Sequence, residues 1–418
     1  VSTSPARLPK RFSTMLLATA VVCLTMALVF YPEDGYKAGL AGMKLFWQSV
    51  FPSLLPFLIL AELLLGVGVV HAAGVLLEPL MRLLFRVPGV GAFAVSMGVA
   101  AGYPVNAVVT SKFRKNKLVT RVEAERLLAC STAADPLFLC GAIAIGLFHS
   151  PQLGLLLAIA HYLAALLVGI AFRFYGTDQT PIPAKPKGNI LRRAFAELGR
   201  ARQADGRPLG KLLGDAVNDS IKTSLMILGF IMFFAVLFKI LTNVGFLGLL
   251  AAPLEGLFQL LGLDVGLVPA LLAGLFEVDL GIAISALPQV PLIQSLIVVS
   301  FLVGWAGLSV HAQTAAVLIG TDVRMKPYMI ARLLHALLAG VLTLVFWKMG
   351  WGHQAVSVMA NFLPVLSTVN DSGPHWGLSL LLVKNWFLVF GGVVALSLVI
   401  HFFRSARFVA WNAKSNSR

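Results

Sequence analysis

Charge is what this sequence lacks. Only 12% of its 418 residues are Asp, Glu, Lys or Arg, while 58% are hydrophobic; a soluble domain carries roughly 25% charged residues. With a mean hydropathy of +0.87, no soluble fold hides this much apolar surface, so a polytopic membrane protein is expected, with a lipid bilayer as its main partner. Cysteine is nearly absent too. Cys23, Cys130 and Cys140 fall in apolar segments without metal or disulfide spacing and read as small packing residues. Enzyme signatures are missing: there is no phosphate loop, no His-Glu-x-x-His, and no spacing that supports a Ser/His/Asp triad. No enzymatic activity, cofactor or metal is expected. Acidic residues are the scarcer charge, 18 against 33 basic, a net +15. Basic residues collect in the loops of membrane proteins that stay in the cytoplasm, so the excess needs no nucleic-acid partner.

What is present breaks the apolar pattern in two matching places. Gly98-Val-Ala-Ala-Gly-Tyr-Pro-Val-Asn-Ala-Val-Val-Thr110 and Gly274-Leu-Phe-Glu-Val-Asp-Leu-Gly-Ile-Ala-Ile-Ser285 carry glycines and polar groups that a plain span avoids. Non-helical backbone at membrane depth survives only where protein covers it or a water-filled cavity adjoins it. Paired interruptions of this kind in two halves point to a transporter binding site.

The chain divides accordingly. Residues 1–46 hold a first helix, Met15 to Tyr31, read as retained rather than cleaved, and an external acidic turn. Residues 47–175 form a first transport repeat: a span from about Val50 to Val70, an interfacial helix from Gly74 to Val87, the first re-entrant hairpin, a helix broken at Ser131-Thr-Ala-Ala-Asp-Pro136, and a span containing His161. Residues 176–220 are a basic cytoplasmic linker. Residues 221–348 repeat the first half at a constant offset of 174, which sets Gly74 on Gly248, Pro79 on Pro253, and His161 on His335. Residues 349–418 hold an interfacial segment, a last span and a basic tail. Counting basic loops places both termini in the cytoplasm and gives the two repeats opposite orientations. The expected fold is therefore all-α, with two inverted-topology repeats, each bearing a re-entrant hairpin and a broken helix.

Four polar clusters are candidates for substrate binding. Gly102, Tyr103 and Asn106 turn the first hairpin tip. Glu277 and Asp279 form the second, and intramembrane carboxylates commonly mark an ion or proton path; Asp279 also reads as a solvated residue near the outer surface. In the first broken helix Ser131, Thr132 and Asp135 stand before Pro136, with Ser131 and Asp135 four apart on one face, and Asp135 also suits a helix cap. In the second, Ser309 and Gln313 share one face, His311 and Thr314 another. His161 and His335 read as symmetric packing positions. Glu62 stands alone in an apolar span, and the sequence offers it no partner.

At these residues a resemblance emerges. Phe51-Pro-Ser-Leu-Leu-Pro-Phe57, Leu77-Glu-Pro-Leu-Met81, Arg86-Val-Pro-Gly-Val90, Gly102-Tyr-Pro104, Arg121-Val-Glu-Ala-Glu-Arg126, Gly274-Leu-Phe-Glu277 and Gly307-Leu-Ser-Val-His-Ala-Gln313 resemble the sporulation integral membrane protein YlbJ (SpoVV) family. The resemblance covers about residues 45 to 345. Such families contain a Gate, or nucleoside-recognition, domain and are similar in architecture to concentrative nucleoside transporters. The resemblance implies a multi-pass protein of the mother-cell or outer forespore membrane that moves dipicolinic acid, a small anionic substrate, towards the developing spore. Where relatives carry Asn-rich breaks this chain has Asp135, which suits an accompanying cation or proton better than a direct anion contact. Proton coupling and facilitated diffusion both stay open, as does an oligomer. The alternatives are a nucleoside or other small-metabolite carrier and a non-transporting membrane organiser of spore maturation.

Overall fold

The computed structural model describes residues 10–176, 189–286, 289–351, 384 and 388–402. The proline-rich start of the linker with Lys185 and Lys187, Arg7, most of segment 349–418, and the tail residues Arg404, Arg407 and Lys414 lie outside them. Every regular element described is helical: α1 (Lys10–Phe30), α2 (Pro32–Leu45), α3 (Phe51–Gly66), α4 (Val69–Leu84), α5 (Gly91–Ala101), α6 (Val105–Lys115), α7 (Arg121–Ser131), a π-helical segment Leu137–Leu147, α8 (Pro151–Phe172), α9 (Ile190–Asp205), α10 (Leu209–Asn243), α11 (Phe246–Leu261), α12 (Val268–Phe276), α13 (Val278–Ser285), α14 (Leu292–Trp305), α15 (Gly307–Val317), α16 (Met325–Lys348) and α17 (Leu388–Phe402).

Among the described residues four stretches are long and apolar enough to cross a membrane, namely α8, α10, α14 with α15, and α16. A fifth, α3 with α4, passes the same test only as a pair bent by 82°. The chain is thus an all-α polytopic membrane protein. The bend follows from Gly68, whose φ of +86° ends α3 and whose position against the carbonyl of Leu198 leaves no room for a side chain. α10 begins at Leu209, inside the segment the sequence assigns to the linker, so the basic connection passes directly into the next span.

Two ends of the molecule differ in chemistry. At one, basic side chains are tied down. Arg82 bonds Glu78 and Glu123 at 2.8 and 2.5 Å, and Arg126 donates to the carbonyls of Arg86 and Tyr175. Lys112 on α6 and Arg207 before α10 both reach Glu62 on α3, which supplies the partners the sequence could not name. α9 packs along α4 at this end through Ile190 and Ala194. The opposite end is joined by milder contacts: Asn243 to Asp34 at 2.7 Å, and the backbone of Asp264 to Gln294 at 2.6 Å. Between the ends, α8 packs on α16 and α14 on α16, making the centre where the two halves meet. Cys130 and Cys140 are buried there as expected, but Cys23 on α1 is exposed.

Candidate substrate cavity at the paired helix breaks

Each half supplies one hairpin and one interrupted helix, and each pair is locked by a glycine. In the first half the α5–α6 hairpin lies against the end of α7. A Cβ on Gly98 would collide with the carbonyl oxygen of Ser131, so only glycine allows the approach. The hairpin turns at Gly102 (φ +69°) and the cis Tyr103–Pro104 peptide. One turn on, Asn106 donates from Nδ2 to Ser131 Oγ at 3.1 Å and Thr132 Oγ1 at 2.7 Å. In the second half the close-packed glycine sits on the break instead of the hairpin. Glu277 adopts an extended conformation between α12 and α13, and Ala306 and Gly307, both at positive φ, interrupt α14 and α15. A Cβ on Gly307 would stand 3.0 Å from the nitrogen of Val278 and 3.1 Å from the carbonyl of Phe276. Trp305 Nε1 donates to the carbonyl of Leu275 at 3.2 Å and fixes the same junction.

An interrupted helix leaves carbonyls and N–H groups without intrahelical partners, and the first break shows where they go. Arg332, fully buried on α16, donates to the carbonyls of Thr132 at 2.6 Å and Ala129 at 3.1 Å. Ala134 is gripped from both sides by α8: its N–H donates to His161 Nε2 at 2.9 Å, and its carbonyl accepts from Tyr162 Oη at 2.9 Å. Asp135 Oδ1 accepts from the N–H of Phe138 at 2.9 Å and so caps the π-helical segment. Residues 132–135 leave the helix, so Ser131 and Asp135 do not share a helix face as their spacing suggested. Ser131 turns to Asn106 and Asp135 to the cavity. In the second break Gln313 Nε2 donates to Ser309 Oγ at 3.1 Å, and Ser309 also bonds Glu277. His311 Nδ1 meets the carbonyl of Gly307 at 2.7 Å while its ring packs on Trp305 and Tyr328, with centroids 4.3 and 5.2 Å away.

The hairpin tips and breaks enclose a cavity of about 400 Å³, within the range of small-molecule sites. Its polar lining is Tyr103, Asp135, Glu277, Asp279 and Gln313, beside the backbone of Gly102. Apolar walls come from Leu45, Val50 and Leu54 on one side and Ile143, Leu147 and Ile282 on the other. No Lys, Arg or His stands among the described residues that line it. Of the sequence candidates, Gly102, Tyr103, Asp135, Glu277 and Gln313 therefore come together. Asn106, Ser131, Thr132, Ser309 and His311 do not reach the cavity surface; each is at most 5% exposed and bonded to the backbone or to other side chains. Asp279 lines the cavity rather than standing solvated at the surface. The sequence reading passed over Arg332 and Tyr162. Arg332 carried a visible signal, a charged side chain amid apolar residues between Lys326 and Lys348; Tyr162 carried none beyond adjoining His161.

The architecture can be set beside known proteins. A family model described as Gate, nucleoside recognition, matches residues 47–172, which run from just before α3 to the end of α8. No solved structure matches significantly. The sporulation integral membrane protein YlbJ of Bacillus subtilis (strain 168) is 43% identical over 341 residues, 81% of this chain and 84% of that protein. Family membership sets the chain among membrane proteins without catalytic activity. At that identity and coverage, this chain belongs to the family of the sporulation integral membrane protein YlbJ.

Proposed function

We propose that this protein is a secondary transporter that carries dipicolinate out of the mother cell across the outer forespore membrane. One observation carries the reading: a cavity of about 400 Å³ at the junction of two hairpin tips and two helix breaks, one of each from either half. Discontinuous helices meeting at a central site are the construction by which transporters expose one site to two sides in turn. Similarity to a sporulation protein over most of the chain gives the physiological setting.

The element order supports an inverted repeat. α3, α4, α5, α6, α7, the π-helical segment and α8 run in the same order as α10, α11, α12, α13, α14, α15 and α16. The offset of 174 carries Arg121–Ser131 to Ser295–Trp305 within α14, and Pro151–Phe172 to Met325–Phe346 within α16. The open end of the first hairpin meets Glu62 through Lys112 at the basic end; the second hairpin follows Asp264, at the opposite end. By the positive-inside rule the basic end is cytoplasmic.

A planar aromatic dicarboxylate suits the lining in part. Tyr103 and Phe138 offer aromatic faces, Gln313 an amide, and the N-termini of α6 and α13 offer the positive ends of helix dipoles. The Gate match keeps a nucleoside carrier as the second reading. Flux of labelled dipicolinate into proteoliposomes separates the two. Saturable dipicolinate entry that excess nucleoside does not reduce is the expected result. Entry of nucleoside but not dipicolinate would replace the first reading with the second. Neither flux in sealed vesicles would favour an organiser without transport.

A further inference from the structure

Among the described residues the cavity is lined by carboxylates from both halves and by no basic side chain, which sets a problem for an anionic substrate. We infer that protons travel with the substrate through this cavity, borne by Glu277 together with Asp279 and Asp135. The inference rests on the transport reading above and adds the coupling ion to it.

Glu277 is the central group. It is 3% exposed, sits at the break between α12 and α13, and lines the cavity. Ser309 bonds its carboxyl, yet Oε2 has no hydrogen-bond partner. A buried carboxyl oxygen left without a donor, on a side chain that lines a cavity, is a place where a proton or a cation binds. The groups facing it sharpen the choice. Asp279 stands two residues on along its own hairpin arm, and Asp135 and Tyr103 line the same cavity from the first half. The Tyr103 hydroxyl also lacks a partner. Behind the second break stand His311, whose Nδ1 is taken by Gly307, and Tyr328. Arg332 is the nearby cation on α16, and its two terminal nitrogens are committed to the carbonyls of Ala129 and Thr132. His161 bonds the N–H of Ala134 and His335 the carbonyl of His161, so neither is turned to the cavity.

A dianion that entered beside three ionised carboxylates would bring like charges together between largely apolar walls, where repulsion is weakly screened. Protons taken up with the substrate remove that repulsion, and their release with it on the other side resets the site. A metal ion would need several oxygen ligands held at short range. Among the described residues no group of three or more His, Cys, Asp or Glu is arranged to hold one. A proton needs a single free oxygen, and Glu277 Oε2 provides it.

The test uses full-length protein in sealed vesicles of neutral lipid with a pH-sensitive dye inside, and protein-free vesicles as the blank. Addition of dipicolinate outside is expected to acidify the lumen as labelled dipicolinate enters. An acid-outside gradient should raise accumulation, and a protonophore should remove the rise. Glu277→Gln should reduce substrate-dependent acidification at least tenfold. If that variant does not fold, the wild-type dye signal decides alone. Equal dipicolinate entry with and without a pH gradient, at constant lumenal pH, would overturn the inference and leave the transport reading standing. Accumulation that follows an imposed sodium or calcium gradient instead would overturn it in favour of that ion. No dipicolinate entry under any gradient would remove the transport reading and the coupling with it.

Discussion

Arg324 grips Glu125 with two prongs, Nε to Oε1 at 2.8 Å and Nη2 to Oε2 at 3.1 Å, while the backbone N–H of Arg324 adds a third bond at 3.1 Å. Tyr175 Oη closes the arrangement, donating to Oε2 at 2.8 Å. Glu125 belongs to α7 and Arg324 to the start of α16, so the pair joins the two halves at the basic end. Arg114 and Asp322 repeat the design nearby, at 2.7 and 2.9 Å. Planar, two-pronged pairs of this kind are the directional ones, and together they latch the end of the molecule away from the cavity walls.

The latch predicts a measurable coupling. The Glu125 side chain is fully buried and its loss leaves Arg324 and Tyr175 without an acceptor. Glu125→Ala should lower stability by about 2 kcal/mol, read as a fall in the thermal midpoint in detergent. Arg324→Ala placed on top of Glu125→Ala should cost little more, because the interaction is already gone. Additive losses from the two substitutions would show that they do not act as a pair.

A second prediction concerns pH and follows from the exposed member of the latch. Asp322 lies in the loop between α15 and α16, and the hydrogen bonds from Arg114 hold its carboxyl below the ordinary value of 3.8. A depressed carboxylate stabilises the fold above its unfolded value, and that contribution disappears as the pH falls through the folded value. The Arg114–Asp322 pair is therefore constant between about pH 5 and pH 8. Asp322→Asn should lower stability by less than about 1 kcal/mol, since the pair is partly solvated. The difference from wild type should be the same across that window and shrink only in stronger acid. Thermal midpoints at a series of pH values check it, and a difference that changes near neutrality would assign the titration to another group.

How far these features were legible depends on whether a signal is local. The offset of 174 set His161 on His335, and in the fold the two rings meet at a tilt of 31° with centroids 4.4 Å apart while His335 Nε2 donates to the carbonyl of His161 at 3.0 Å. Their role in packing was readable because both residues mark the contact of α8 with α16. Hairpins and breaks were readable as well, since glycine, proline and polar residues are conspicuous in apolar sequence. The direction of each polar side chain was not. Asn106, Ser131 and Thr132 look like ligand contacts by type, yet they bond one another, because the break turns them inward against the hairpin. Glu62 found Lys112 fifty residues away, a pairing that depends on how α3 and α6 pack and leaves no trace in local sequence.

The histidines give a third prediction. His161 accepts the Ala134 N–H inside the first break, where water is excluded. His161→Ala should leave that N–H unpaired and cost about 1–3 kcal/mol. His161→Gln keeps an acceptor on a side chain of similar reach and should recover part of the loss. The thermal midpoints of the two variants, compared with wild type, measure it; equal loss in both would show that ring packing rather than the hydrogen bond stabilises the break.

Two helical glycines, Gly98 and Gly248, should respond in opposite directions, and the reason is close approach rather than residue type. At Gly98, on α5, an added methyl group meets the carbonyl oxygen of Ser131, which is backbone at the end of α7 and cannot swing aside as a side chain would. Gly98→Ala must separate the first hairpin from its break or distort both, at a cost of about 1–3 kcal/mol or more. It also moves Tyr103 and Asp135 relative to each other, so substrate flux should fall further than stability alone requires. At Gly248, on the exposed α11, nothing stands within 4 Å of the same added atom. Gly248→Ala there removes backbone freedom from the unfolded chain and suits a helix, so it should stabilise by up to about 1 kcal/mol and leave flux unchanged. Thermal midpoints and dipicolinate flux measured on both variants test the contrast. A harmless Gly98→Ala would mean that the first hairpin is not seated on its break as tightly as the geometry demands.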